Sequence, residues 1–519
     1  MSLEVADTLT RSLHRHNHWW ESDATGFSLP ARQRSDFYHL VRPTESGSQF
    51  LDQPILGLAG RQGVGKTTLL EQYVHHRVST GDDPERYCYL PLDANPLYQL
   101  RSGEQLERAI RYYESRILGR LEDPTSHVLL LDDVHRVEHA EKPGTAGWAT
   151  VISEALEDRP GRHIVVTASA GQQIGRALET AGVDRSEWAI QPILPEKFRD
   201  YLFTLLPTLE RGDDRISPTP IRTGDSGIPR ALETGDPEPL AMAFRATLED
   251  VGELAPRVQS QLLEYAVMGG IASLGSDGAR KSAAEYDLAT RRRLRDDVRA
   301  ALYQEVPAIE SIQSIADLER LCTLAATTRG SEPLSIRECA DAFGVDRRTL
   351  VDSYIPALEA LTLCSGVTEY DNSRPRSFRL YLRDTGLVAA LTDANPGELV
   401  TDLSVEADLA RLVGFDHSMR LEYMINAVAG TKREPSVTYW ESEDGEVDFV
   451  LTVGDTPLPV GLAYRPADRE PTMAALETFQ SRYDTPLGLL LVGDQREDQA
   501  VVVSESIIEV PYWLYVLLC

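Results

Sequence analysis

The stretch ILGLAGRQGVGKTTLLEQYVHHRV, residues 55–78, decides the fold. Its apolar opening reads as a buried strand, and TTLLEQYVHHRV spaces its apolar side chains at helical intervals. Between them GRQGVGKT, residues 60–67, satisfies G-x-x-x-x-G-K-[ST] in the context that pattern requires, after a strand and before a helix. Gly60, Gly63 and Gly65 let the backbone turn its N–H groups inward as an anion nest, to which the helix N-terminus adds its dipole. The candidate nucleotide-binding residues are therefore Gly60, Arg61, Gln62, Gly63, Val64, Gly65, Lys66, Thr67 and Thr68. Lys66 should reach the β- and γ-phosphates, Thr67 should ligate Mg²⁺, and Thr68 should touch the α-phosphate. ATP and Mg²⁺ are the expected ligands.

Outward from this loop, RYCYLPLD (86–93), HVLLLDDV (127–134), RHIVVTAS (162–169) and WAIQPI (188–193) read as further buried strands. Helical patterns alternate with them, among them GEQLERAIRYYESRILGRL at 103–121. Buried strands alternating with helices predict an α/β fold, a parallel sheet covered on both faces. Asp132 and Asp133 fall at the exposed carboxyl end of their strand. There Asp132 should hold the Mg²⁺-bound water and Asp133 should polarise the attacking water. The alternative for Asp133 is that it only caps the strand.

At 519 residues the chain is too long for one ordinary core. The expected division is a lead-in at 1–50 carrying His18-Trp19-Trp20, a phosphate-loop domain at 51–206, and a linker with a helical region at 207–325. A compact segment at 326–395 and an α+β segment at 396–519 complete it. The longest apolar runs, such as HVLLL at 127–131, fall far short of the ~20 residues that cross a bilayer, so no membrane association is expected. The first thirty residues lack the apolar stretch of a secretory signal, which predicts a cytoplasmic protein. Five scattered cysteines without zinc-ligand spacing read as reduced, buried thiols. The formal charge of −29 arises with only five lysines among the 52 basic residues. Acid spread along the whole chain resembles the usage of a halophilic archaeon, where salt screens self-repulsion.

The order of motifs resembles a family of prokaryotic, especially archaeal, AAA-type (AAA+) P-loop ATPases with a winged-helix segment. That family ends in a domain of unknown function related to PD-(D/E)xK nucleases. The matching elements are Trp19-Trp20, the phosphate loop, LDDVHR at 131–136, TAS at 167–169, ILPEKFRDY at 193–201 and YAVMGGIA at 265–272. The resemblance implies roles for further residues. Ser169, with Thr167 as the runner-up, stands where a polar residue meets the γ-phosphate or the water. Arg185 stands where a finger completes a neighbouring subunit's site, which implies a homo-oligomer, and Arg230 could sense nucleotide from a lid. Relatives carry Glu where this chain has Asp133, one methylene shorter, so slow hydrolysis is expected.

SIRECADAFGVDRRTLVDSYIPALEALTL, 335–363, reads as helix, turn and second helix, and TEYDNSRPRSFRLYLRDTGL as a wing hairpin. Arg347 and Arg348 then sit at the start of the second helix, where such a helix meets the DNA major groove, and RRRLR at 291–295 could add phosphate contacts. Packing without DNA is the competing reading for this module. In the tail, nuclease-like relatives use a helix Glu, an E-V-D strand and an E-x-K strand. Here Glu422, Glu446 and Asp448 remain, but Gly461 and Ala463 replace the last pair. A tail that does not cut is expected. Three functions stay open on sequence grounds: an ATPase coupled to a DNA-engaging winged helix, a nucleotide-gated scaffold or sensor with little turnover, and an ATP-dependent nuclease.

Overall fold

The computed structural model describes residues 3–21, 29, 36–37, 53–92, 102–137, 147–158, 161–206, 209, 219–272, 285–309, 312–392, 394–399, 402–429, 435–442, 445–493 and 500–519. Part of the linker expected at the start of 207–325, residues 207–208 and 210–218, lies outside them. The chain forms two compact units. The first comprises Met1–Leu194, Ala300–Ser311 and Ala360–Thr362, and the second takes the remainder.

Unit 1 is built on five strands: β1 (Ile55–Ala59), β2 (Tyr87–Pro91), β3 (His127–Asp132), β4 (Arg162–Ala168) and β5 (Trp188–Pro192). All pairings are parallel, in the order β2-β3-β4-β1-β5. Every residue of β1, β2 and β3 is buried, so both faces of the sheet are covered, as continuous apolar strands require. Helix α1 (Lys66–Ser79) follows β1 directly, and α2 (Gly171–Thr180) follows β4. Sites in such sheets form outside the carboxyl ends of the strands, where the strand order reverses. Here that place is the end of β1, between β4 and β5.

The amino-terminal aromatic island is part of this unit. Trp19 and Trp20 are buried, and both indole N–H groups donate to the Tyr87 carbonyl, at 3.1 and 2.9 Å. Beside them the Asn17 amide donates to the Tyr89 carbonyl at 2.9 Å and accepts its N–H at 2.6 Å. One side chain thus imitates a neighbouring strand and satisfies backbone groups on the open edge of β2.

In unit 2, a short strand, β6 (Leu334–Ser335), joins β7 (Cys364–Val367) and β8 (Ser377–Leu382) in a small antiparallel sheet ordered β6-β8-β7. Helix α3 (Ile336–Phe343) ends at Gly344, whose φ of 67° is the left-handed value that glycine adopts without strain. The next helix starts at Arg347. Its cap is Asp346, which accepts the Thr349 N–H at 2.9 Å.

A larger mixed sheet combines β9 (Thr438–Glu441), β10 (Glu446–Val453), β11 (Thr456–Ala463), β12 (Gly488–Val492), β13 (Val502–Ser504) and β14 (Ile507–Pro511), in the order β13-β14-β12-β11-β10-β9. Helices α4 (Leu403–Val428) and α5 (Arg469–Tyr483) pack on it. Trp440, Val447, Val450, Leu476, Phe479 and Leu490 form one apolar cluster there.

The Gly-Gly pair at 269–270 has a steric cause within unit 2. A Cβ on Gly269 would lie 2.2 Å from Asp384 Oδ1, and one on Gly270 would lie 2.3 Å from the Glu196 carbonyl. Asp384 in turn accepts the N–H groups of Gly270, Ile271 and Gly386 at 3.0–3.1 Å. Among the described residues no helix is long and apolar enough to cross a membrane.

Candidate active site

The loop after β1 needs its glycines for two different reasons. At Gly60 there is no room, because a Cβ would sit 2.2 Å from the Ile193 carbonyl oxygen. At Gly63 and Gly65 the backbone requires it, with φ at 85° and 95°. Val64 is buried and anchors the loop, while Gln62 and Gly63 are exposed and Thr68 is half-buried. Lys66, 6 % exposed, arches back over the loop and donates from Nζ to the Gly60 and Arg61 carbonyls at 2.6 and 3.3 Å. Arg61 is buried beside it.

Three hydroxyls converge on Asp132. Its Oδ2 accepts from Thr67 at 2.7 Å and from Tyr89 at 2.9 Å, and its Oδ1 accepts from Thr167. Glu71, on α1, has its carboxyl pushed up by burial first and by the charge of Asp132 second. The Asp132 carboxyl beside the Thr67 hydroxyl is an oxygen donor set that suits a divalent cation. Thr67 and Asp132 are the residues that would hold Mg²⁺, Thr67 as a hydroxyl ligand and Asp132 through a bound water.

The neighbouring Asp133 is placed differently. Its φ of 60° is left-handed, and its N–H donates to Thr167 Oγ1 at 2.8 Å. Thr167 thus bridges both aspartates, which makes the sequence-level runner-up to Ser169 the structural member of the pair. The Asp133 carboxylate stands 3.9 Å from His135 Nδ1. Ser169 is 2 % exposed and donates to the carboxylate of Glu305, a residue that sequence reasoning missed. Nothing local in ALYQEVPAI distinguishes this glutamate from any other helical one.

A five-stranded parallel sheet in this order, with a glycine loop and lysine after the central strand and an acid at the end of β3, is diagnostic. The fold is that of an AAA+ P-loop ATPase. Residues 52–202 match the family model described as an AAA domain, and residues 247–398 match one described as a domain of unknown function (DUF8612). No curated protein matches the chain.

Solved structures similar to it include the Walker-type ATPase of Pyrococcus abyssi, 12 % identical, covering 70 % of this chain and 99 % of that one with a TM-score of 0.34. The Aeropyrum pernix ORC1 protein in complex with DNA is 16 % identical, covering 74 % and 98 % with a TM-score of 0.27. AMPPCP-bound DnaA from Aquifex aeolicus is 14 % identical, covering 68 % and 90 % with a TM-score of 0.21. Likeness at this level assigns no function.

The remaining candidate residues are held elsewhere. Arg185 is exposed, donates to the Trp188 carbonyl at 2.8 Å, and lies 3.9 Å from the centre of that indole ring. A finger at this position must first leave its stack. Arg230, in unit 2, pairs with Glu233 at 2.7 Å. Arg347 and Arg348 are exposed, and Arg348 pairs with Asp352 at 3.1 Å. In RRRLR, Arg291 and Arg295 donate to the Ala394 and Ala390 carbonyls at 2.6 and 2.5 Å, so two of these arginines secure a neighbouring helix end.

In the tail, Glu422 and Asp448, the residues retained from the nuclease-like pattern, have different partners. Glu422 is fully buried and accepts the backbone N–H groups of Ser436 and Thr452 at 2.8 and 3.1 Å. Asp448 instead accepts from Arg411 Nε at 2.9 Å and from the Leu462 N–H at 2.7 Å. Arg411 and Glu422 lie on the same helix, about 16 Å apart along its axis, so the carboxylate of Glu422 serves a different level of the sheet. Around Asp448, Arg411 also reaches Glu446 at 3.2 Å and Asp408 at 3.4 Å, and Arg379 pairs with Glu446. A Cβ at Gly461 would lie 2.3 Å from Thr472 Cγ2, so no carboxylate side chain fits there without repacking.

Proposed function

We propose that this chain is a magnesium-dependent ATPase whose phosphate loop, residues 60–67, and the ends of β3 and β4 bind and hydrolyse ATP. The observation that carries this reading is the hydrogen-bonded series Thr67–Asp132–Thr167 beside the Lys66 amine. When bound, Mg²⁺ would supply charge neutralisation on the β- and γ-phosphate oxygens. Lys66 would exchange its two carbonyl partners for phosphate oxygens, and the loop N–H groups would hold the β-phosphate. Asp133, just after the end of β3, is the candidate that the sequence offers for polarising the attacking water.

The test is phosphate release by the purified chain in molar KCl with Mg-ATP, for wild type and Lys66→Ala. Hydrolysis that the substitution abolishes is the expected result. A wild type that binds ATP without turnover would instead favour the nucleotide-gated scaffold.

We read residues 335–382 as a winged helix, and the exposure of Arg347 and Arg348 at the start of its second helix favours DNA as the partner. Sizing at high salt with ATP, together with identification of co-purifying nucleic acid, tests this. A monomer free of nucleic acid would remove both the DNA role and the Arg185 finger. The tail is read as non-cutting because Arg411 occupies the carboxylates that a metal ion would need.

A further inference from the structure

Residues 300–311 belong to unit 1, although the chain on either side of them belongs to unit 2. Within them Ala301–Glu305 form a π-helical turn that ends on Glu305. Such turns take side chains out of the α-helical register and recur at functional sites. The Glu305 side chain is 3 % exposed and accepts the Ser169 hydroxyl, and Lys66, Arg136 and Arg61 act on it electrostatically. Burial pushes its carboxyl up, while the serine bond and the three cations pull it back toward the ionised form. Its Oε2 is buried with no hydrogen-bond partner among the described residues. A buried carboxylate oxygen without a donor is costly, and native structures rarely keep one without a use.

We propose that Glu305 is a catalytic carboxylate of the ATPase site, its Oε2 accepting from the water that attacks the γ-phosphorus. This rests on the ATPase reading above. In the step, the water oxygen bonds to the γ-phosphorus as the bond from that phosphorus to the bridging oxygen of ADP breaks. One water proton passes to Glu305 and then to the departing phosphate, leaving the carboxylate as it began.

Two features favour Glu305 over Asp133. Asp133 has the shorter side chain and sits on a left-handed backbone with its carboxylate toward His135. Glu305 is bonded to the serine at the end of the adjacent strand, within the field of the phosphate-loop lysine. The competing role is a plug, the carboxylate standing in for the γ-phosphate. The two roles predict opposite signs on removal of the charge.

The experiment measures steady-state hydrolysis and binding of a fluorescent ATP analogue for wild type, Glu305→Gln and Glu305→Asp in molar KCl. The expected result is a fall in kcat of about 10²–10³-fold for the glutamine variant, with analogue affinity unchanged and a smaller fall for aspartate. Retained affinity shows that the variants are folded. If wild type hydrolyses ATP and Glu305→Gln matches or exceeds its rate, the catalytic role is overturned while the ATPase reading stands. If wild type binds the analogue but does not turn over, both fall.

Discussion

Two sets of acids stand at the ends of strands in this molecule, and their neighbours make them chemically different. In unit 1, Asp132 is surrounded by the hydroxyls of Thr67, Tyr89 and Thr167. These partners stabilise an anion without neutralising it. In unit 2, Asp448 and Glu446 are met by the guanidinium groups of Arg411 and Arg379. Their charge is already balanced, and a metal ion would have to displace a buried arginine. The presence of carboxylates therefore does not define a metal or water site. What matters is whether a cation of the protein is already seated against them.

The largest effect that could break this comparison is expected at Lys66. Lys66→Ala should lower hydrolysis by more than about 10³-fold, through loss of charge stabilisation that appears only in the transition state, without shifting the thermal midpoint greatly. Ordinary turnover by that variant would mean that the acids of unit 1 do not serve a phosphate site.

Next is Arg411→Met, which leaves Asp448 buried without its cation. It should cost about 3–5 kcal/mol in urea unfolding, and adding Asp448→Leu should recover most of that loss. A single variant that is as stable as wild type would show that the tail acids are not held by this arginine.

A third effect concerns pH. His417 is buried, donates from Nδ1 to the Val413 carbonyl at 2.9 Å and accepts the Phe198 N–H at 3.3 Å. Burial holds its pKa down at about 4, against the upward pull of Asp416 and with Arg420 and Lys197 adding to the depression. A folded-state pKa below the unfolded 6.5 means that folding favours the neutral ring. This contribution is complete above pH 6.5 and is lost progressively as pH falls toward 4, on the order of 3 kcal/mol in total. His417→Gln should flatten the slope of stability against pH in that window. An unchanged slope would assign the acid sensitivity to other groups.

The smallest effect is at Arg348, whose pairing with Asp352 is exposed. Arg348→Ala should alter stability by less than about 0.5 kcal/mol. If the winged-helix reading holds, it should also reduce the salt slope of DNA binding by about one.

The sequence revealed most of unit 1 because its signals are local. The strand, glycine loop and helix at 55–78 lie side by side along the chain, and continuous apolar runs marked β3 and β4. The roles of distant residues were less legible. Thr167 and Ser169 were both named, but which of them bonds Asp132 depends on the twist and register of two strands. Glu305 reaches the site from 136 residues beyond Ser169, on a turn whose π geometry has no signature in ALYQEVPAI. In the tail, the E-V-D pattern identified a strand, but the register of a 26-residue helix against it decided that Arg411, and not Glu422, faces Asp448. That register is fixed by packing of the whole helix, which no short motif encodes.

The discontinuity of unit 1 has a practical consequence for anyone cloning parts of this gene. A fragment ending near residue 206 would keep the phosphate loop, Asp132 and Ser169 but would leave out 300–311 and 360–362, segments that belong to the same compact body. Apolar partners such as Leu302 and Val306 would be lost with Glu305, and the exposed surface would favour aggregation. Poor behaviour of such a fragment would reflect where it was cut, and any fragment meant to carry the whole of unit 1 must run at least to residue 362.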